Sequence, residues 1–383
     1  MTYKKHNVFI LLLLVFVSLE FSSCKVYKAF NNIVGLQKDY QFSEATGEPR
    51  LEYIEAIPII HLYGTNREMG EQYGTILKSQ LNSMATIAES LFSKKTLNKF
   101  YHQAEIVENN LPSEMKDFIE GMSESSGVSY IKLLALNITP RTNCSVLAVW
   151  GEATTDGNLL MGRNADYNFK KVNRALGLLV VRHPESGLAT VSSSFLGLAG
   201  TFTGMNEKGV SYGNMLVYNA EDKEVNLDGL PIQLLMQMGG ERCSSASEMT
   251  AYLYEKKHMI PINVMCADKN EAFLTELSPQ KYAVREGNKG VLAATNFFVM
   301  SGMFTKHVTD LRFANLMKLS KKYHGQFDIE KLQEAMHVAR RLNQNLQCVL
   351  FEPSNMKMHV SMNKVPASAG PFTVFDINQL LEN

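Results

Sequence analysis

Residues 138–169 read ITPRTNCSVLAVWGEATTDGNLLMGRNADYNF, and the chain changes character inside them. Before Asn143 the apolar residues recur mostly with helical spacing. After it they fall into short runs bounded by Gly, Asn and Asp. SVLAVWGEA and NLLMGRNADY are strand-like, and Asp156-Gly157 between them is a two-residue hairpin signal. Cys144 opens the first of these strands, and Arg163 and Asp166 lie on the second. A cysteine so placed is either a core residue or a nucleophile. Periodicity alone favours the core.

Working outward towards the N-terminus, LEYIEAIPIIHLYGTNREMGEQYG gives a short strand, a Gly turn and a helix. Helical spacing continues to about Ser126, with a fresh helix start at Pro112-Ser113 in NNLPSE. Residues 24–50 have the composition of a polar tether. Ahead of them, Lys4 and Lys5 precede an apolar run from Val8 to Leu19 that is too short for a comfortable membrane span. Residues 1–23 are therefore expected to be a secretory signal. FSSC resembles a bacterial lipobox, with Phe21 where Leu is usual, so Cys24 is the expected lipid anchor. Such a chain would sit on a bacterial envelope membrane without spanning it. Simple secretion and an uncleaved anchor are the alternatives.

Towards the C-terminus, LGLLVVRH, LATVSSSF, GTFTGMN and GVSYGNMLVY continue the strands, and a helical block covers about Pro231 to Lys257. INVMCADKNEAFLTEL, QKYAVREG and GVLAATNFFV are strands again. Helices follow near Thr309–Tyr323 and Ile329–Arg341, and QCVLFEP and MKMHVSMN close the chain as a strand pair. Blocks of strands separated by blocks of helices predict an α+β layered sandwich, not an alternating parallel α/β sheet. The expected division is a signal (1–23), a tether (24–50), a mainly helical segment (51–143) and a strand-rich domain (144–383).

Lys plus Arg and Asp plus Glu each number 38 in 383 residues, so no basic excess points to nucleic acid. The five cysteines show no zinc or redox spacing, and H-E-x-x-H is absent, so no metal or organic cofactor is implied. Cys266 and Cys348 sit in apolar strand-like runs as core thiols, and the methionines are core filler.

Two nucleophiles compete. GVSYG is a formal G-x-S-x-G around Ser211, for which Asp310 and His359 are nominal partners. The motif requires a strand, a sharp turn and a helix, whereas GVSYGNMLVY runs on as strand. Cys144 has no histidine nearby in sequence, and a free thiol has a pKa of about 8.5. Cutting the Asn143–Cys144 bond supplies a base, because an α-amine has a pKa of about 7.7–8.0. One residue then carries both nucleophile and base.

CSVLAVWGEATTDGNLLMGRNADY resembles the nucleophile region of the penicillin acyltransferase-like family of N-terminal nucleophile hydrolases. It is also similar to the wider linear-amide hydrolases: choloylglycine hydrolase, acid ceramidase and N-acylethanolamine amidase. IPIIHLYGTNREMGEQYGTIL, with Gly64, Gly70 and Gly74, resembles the family's N-terminal glycine stretch. GMNEKGVSYGNM, AATNFF and TDLRF resemble three later elements, in the expected order. The resemblance implies a four-layer αββα sandwich made as a precursor that cuts itself before Cys144. It assigns Cys144 as nucleophile, Arg163 beside the thiol, and Asp166 to orient the new amine. Asn214 and Asn296 become side-chain donors to the oxyanion, and Arg312 completes the polar network.

The implied activity is hydrolysis or acyl transfer at a linear amide through a Cys144 thioester. The small-molecule partner would be an acyl amide or acyl donor, and the two cut chains would stay associated. A non-catalytic acyl-binding envelope lipoprotein on the same fold and a Ser211 esterase are the competing readings. One geometric expectation runs against the assignment. A two-residue turn at Asp156-Gly157 pairs Cys144 with Phe169 and Leu147 with Asp166, which puts Asp166 on the opposite face from Cys144. A longer turn through GEATTDGN, or a bulge near Gly162, is needed to bring them together.

Overall fold

The computed structural model describes residues 24–35, 47–138, 143–167, 176–222 and 224–382. The expected signal segment (1–23) and residues 139–142, just before Asn143, lie outside these. The described helices and strands are, in order, α1 (Cys24–Gly35), β1 (Arg50–Ile54), β2 (Ile57–Gly64), α2 (Asn66–Ile76), α3 (Lys78–Leu91), α4 (Lys94–Glu108), α5 (Ser113–Ser126) and α6 (Tyr130–Ile138). Next come β3 (Asn143–Val149), β4 (Leu160–Asp166), β5 (Gly177–Pro184), β6 (Thr190–Phe195), β7 (Thr203–Asn206) and β8 (Ser211–Leu216). Then follow α7 (Ile232–Gly240), α8 (Ala246–Tyr254), β9 (Ile262–Ala267), β10 (Ala272–Leu277), β11 (Tyr282–Glu286) and β12 (Val291–Ala294). The chain ends with α9 (Leu311–Lys322), α10 (Ile329–Val338), β13 (Asn345–Glu352), β14 (Lys357–Met362), β15 (Thr373–Asp376) and α11 (Ile377–Glu382).

Two sheets form. A nine-stranded sheet runs β1-β2-β5-β6-β7-β8-β9-β10-β11, and a six-stranded sheet runs β12-β3-β4-β13-β14-β15. Strand alternation sends successive side chains to opposite faces, and three apolar clusters show where those faces go. Cys144, Val146 and Ala148 of β3 and Met161 of β4 pack with Leu179, Val181, Met205, Met215 and Met265 of the larger sheet. Ile60, Leu62, Leu178, Val180 and Val264, on the other face of that sheet, pack with residues of α1 to α8. Leu147, Val149, Cys348 and Leu350, on the other face of the smaller sheet, pack on Leu316 of α9 and Leu332, Ala335 and Met336 of α10. The chain is thus an α+β protein whose two sheets face each other with helices outside each. The inner strands of each sheet are buried on both faces, which is why they read as near-continuous apolar runs, whereas the edge strands β11 and β15 are partly exposed.

The glycines of the N-terminal stretch have a packing reason. A Cβ on Gly70 of α2 would lie 2.1 Å from Phe118 O, and one on Gly121 of α5 would lie 2.2 Å from Arg67 O. The two helices therefore touch backbone to backbone. In NEKG, buried Asn206 accepts from the Lys208 and Val210 amides and donates to the Gly240 and Cys243 carbonyls, so this element ties a turn to α7.

Two expectations need correction. Residues 24–50 are not all tether: Cys24–Gly35 is helical, with Ala29 and Ile33 buried and the Asn32 amide donating to Ser83 Oγ on α3. Apolar residues four apart gave this segment a face to bury despite its polar composition. Nor is Asp156-Gly157 a two-residue hairpin. β3 ends at Val149 and β4 begins at Leu160, with a 3-10 turn at Gly151–Ala153 between them. Trp150 N–H donates to Gly290 O and Gly151 N–H to Gly157 O, so the loop is held from outside the hairpin.

Candidate active site

The longer loop changes the register but not the parity. Cys144 pairs with Ala165, Val146 with Arg163 and Asn143 with Asp166. Cys144 and Arg163 therefore share the face that looks at the larger sheet, and Asp166 points to the opposite face, as alternation required.

Arg163 is 1% exposed. Its Nη2 donates to Cys144 Sγ at 3.1 Å, its Nε and Nη2 donate to Asn214 O at 3.2 and 3.0 Å, and its Nη1 donates to Thr203 Oγ1. Among the described residues it forms no ion pair with a carboxylate. A cation removed from water with only neutral oxygens beside it is costly. A thiolate on Cys144 would neutralise it, and by the same interaction the guanidinium favours negative charge on sulfur. Gly213 on β8 makes the space: a Cβ there would stand 2.6 Å from Arg163 Cδ.

The backbone of Cys144 is held as specifically as its sulfur. Its N–H donates to Asn296 Oδ1 at 3.0 Å and its carbonyl accepts from Arg312 Nη1 at 3.1 Å. Arg312 Nη2 also donates to Asn296 Oδ1 at 2.9 Å, and the Asn296 amide donates to Leu216 O at 2.6 Å. Two donors on one amide atom and a carbonyl on the other fix which way Asn296 faces. Asp310 caps α9, accepting from the Arg312 and Phe313 amides, and pairs with Arg312 Nη2 at 2.7 Å. Burial pushes the Asp310 carboxyl up, but the hydrogen bonds and charge of Arg312 outweigh it and hold the group below its ordinary value. TDLRF therefore works as a unit, in which the cap positions the arginine that reaches the Cys144 backbone.

Asp166 is fully buried and accepts from Asn345 Nδ2 at 2.9 Å and from the Arg341 amide at 3.0 Å, with Arg312 Nη1 at 3.8 Å. Burial raises its pKa to about 6, against the opposing pull of Asn345, Arg312 and Arg341. It meets the site through Arg312 and not directly through the thiol.

Asn214 departs from its expected place. Its side chain lies on the helical face of β8 and its amide donates to Met236 Sδ at 3.3 Å, so its contribution to Arg163 is the backbone carbonyl. The reason is parity: Gly213 faces Arg163, so its neighbour faces away. Thr203, Asn345 and Tyr218 belong to the site's network and carried no sequence signal. Tyr218 donates from its hydroxyl to Asn143 Oδ1 at 2.8 Å.

The remaining thiols lack this setting. Burial pushes Cys243 up to about 11 and Cys266 up to about 12, and burial beside Asp166 pushes Cys348 higher still. Ser211 opens β8 fully buried, with its Oγ on Gly209 O. Its nominal partners are engaged elsewhere, Asp310 with Arg312 and His359 with Glu352. A buried serine inside a strand is not a nucleophile elbow, which removes the esterase reading. Among the described residues no cluster of His, Cys, Asp or Glu could hold a metal, and no helix is long and apolar enough to cross a membrane.

An α+β fold of two facing sheets, with a cysteine near the head of β3 and an arginine on its sulfur, defines the class of protein. The chain belongs to the acyl-coenzyme A:6-aminopenicillanic acid acyl-transferase family, whose profile matches residues 153–363. The match holds Arg163, Asp166, Asn214, Asn296 and Arg312 and begins after Cys144. The chain is 27% identical over 255 residues to Protein dcd1B of Dictyostelium discoideum, covering 58% of this chain and 50% of that one. It thus spans about half the length of this relative. Among solved structures it is similar to a Caenorhabditis elegans N-acylethanolamine-hydrolyzing acid amidase ortholog (18% identity, 55% of this chain, 93% of that one, TM-score 0.45). It is also similar to penicillin V acylase from Agrobacterium tumefaciens (13% identity, 62% and 87%, TM-score 0.46).

Proposed function

We propose that the protein is a self-processing cysteine N-terminal nucleophile enzyme of the αββα type that cleaves or transfers the acyl group of linear amides. The observation that carries this is the buried Arg163 guanidinium on Cys144 Sγ, without a carboxylate of its own among the described residues. Membership of an acyltransferase family supports acyl chemistry.

In the first step Cys144 Sγ attacks the Asn143 carbonyl and the acyl group passes from nitrogen to sulfur. Water then hydrolyses the thioester, which leaves a carboxylate on Asn143 and a free amine and thiol on Cys144. Residues 24–143 and 144–383 become the two chains. In turnover the amine takes the thiol proton as sulfur attacks the substrate carbonyl, and it gives that proton to the departing amine. Water or a second amine takes the acyl group and restores the thiol. Asn296 was expected as an oxyanion donor, but its amide nitrogen donates to Leu216 O, so in this scheme its Oδ1, which accepts from the Cys144 N–H in the uncut chain, would orient the freed amine, with Arg312 holding it. The Arg163 guanidinium donates to the reacting sulfur and would steady negative charge on it. Asn214 has no direct part in this scheme. The lipid at Cys24 is proposed to keep the enzyme at an envelope membrane, where amphiphilic acyl amides are encountered.

The test is amine release from a panel of acyl amides by wild type and Cys144→Ala. Release by wild type alone supports the reading. Equal release by both, or none by a fully cut wild type across the panel, contradicts it.

A further inference from the structure

The residue before the nucleophile is held as well as the nucleophile itself. Tyr218 follows β8 and is 48% exposed, yet its hydroxyl donates to Asn143 Oδ1 at 2.8 Å. Its backbone is fixed, because Tyr218 N–H donates to Asn296 O at 3.1 Å. The next residue locks the same junction: Asn219 donates to Phe298 O and accepts from the Phe298 amide. Asn296 in turn accepts from the Cys144 N–H. The peptide bond between Asn143 and Cys144 is thus gripped on both sides from one rigid junction of residues 217–219 and 296–298. One grip is a side chain on the acyl side, the other a side chain on the amine side.

We infer that Tyr218 is a positioning residue for self-cleavage, acting through the side chain of Asn143 to present its carbonyl carbon to Cys144 Sγ. Attack on a carbonyl requires the sulfur near its face, and a peptide at the start of a strand has freedom that a two-sided grip removes. Asn at this position supplies the acceptor that the hydroxyl needs. The inference rests on the proposed self-processing.

The test follows cleavage of the full chain by intact mass during cell-free synthesis. It uses wild type, Tyr218→Phe, Asn143→Ala and the double variant. Loss of one neutral hydrogen bond predicts about fivefold slower cleavage in each single variant, and no further slowing in the double variant. A thermal midpoint for Tyr218→Phe equal to that of wild type, both in the Cys144→Ala background, separates positioning from misfolding. A cut wild type with Tyr218→Phe cut at the same rate overturns the inference alone. So does Tyr218→Phe slowing the Asn143→Ala chain as much as it slows wild type. A wild-type chain that is never cut removes the proposed function and this inference with it.

Discussion

At the scale of single residues, the site is a problem in placing one cation. Arg163 has a carbonyl, a hydroxyl and a sulfur for company, and its position depends on a missing side chain at Gly213. Gly213→Ala should push the guanidinium off the sulfur and slow cleavage by at least about tenfold, towards the 10²–10³ loss typical of a missing charge-stabilising donor. The readout is cleavage by intact mass, with circular dichroism showing the fold retained. Cleavage at the wild-type rate would contradict the account. Asp166 gives a prediction with a sign. Its folded pKa of about 6 lies above the ordinary 3.8, because burial outweighs its hydrogen bonds. The folded chain therefore holds this proton more tightly than the unfolded one. Its stabilisation is full below about 3.8 and is lost as pH rises through about 6, a cost of about 3 kcal/mol. In the Cys144→Ala background, Asp166→Asn should gain unfolding free energy relative to Asp166 as pH rises from about 4 to 6, and the gap should level off above. A gap independent of pH would contradict the buried-carboxylate reading.

At the scale of elements, the backbone contact of α2 with α5 is the most exacting joint. Gly70→Ala puts a methyl against the Phe118 carbonyl, where no side chain can yield. Overpacking of this kind costs roughly 1–3 kcal/mol, and a lowered denaturant midpoint with an unchanged m-value would register it. The same elements show what a sequence discloses. β3, β8, α9 and α10 were legible because each has one period over its length, and Ser211 was legible as a strand residue for that reason. The β3–β4 turn was not, because its geometry is set by Gly290 and Phe327, far along the chain. The partners of Asp166 lay hidden for a similar cause, since Arg341 and Asn345 reach it only through sheet pairing. Cys144 and Arg163 were found by motif, and parity then put them on one face. Asn214 was misplaced because its motif names a residue type and says nothing of which way the strand faces.

At the scale of the whole molecule, the proposed cut falls between elements that stay interleaved. β2 pairs in parallel with β5, Ile59 against Leu179, so both chains of a cut protein share the nine-stranded sheet. Tyr73 and Phe118 from before the cut lie in one apolar cluster with Tyr212 and Val264 from after it. Cleavage removes one covalent bond and leaves this packing. The two pieces should elute together in native size exclusion and separate only in denaturant. Separation without denaturant would contradict shared packing. The central claim concerns the bond itself. N-terminal sequencing with intact mass of the expressed full chain should find a fragment beginning Cys144-Ser145-Val146 in wild type and a single uncut chain in Cys144→Ala. A wild-type chain that remains whole, or one cut elsewhere, would contradict it.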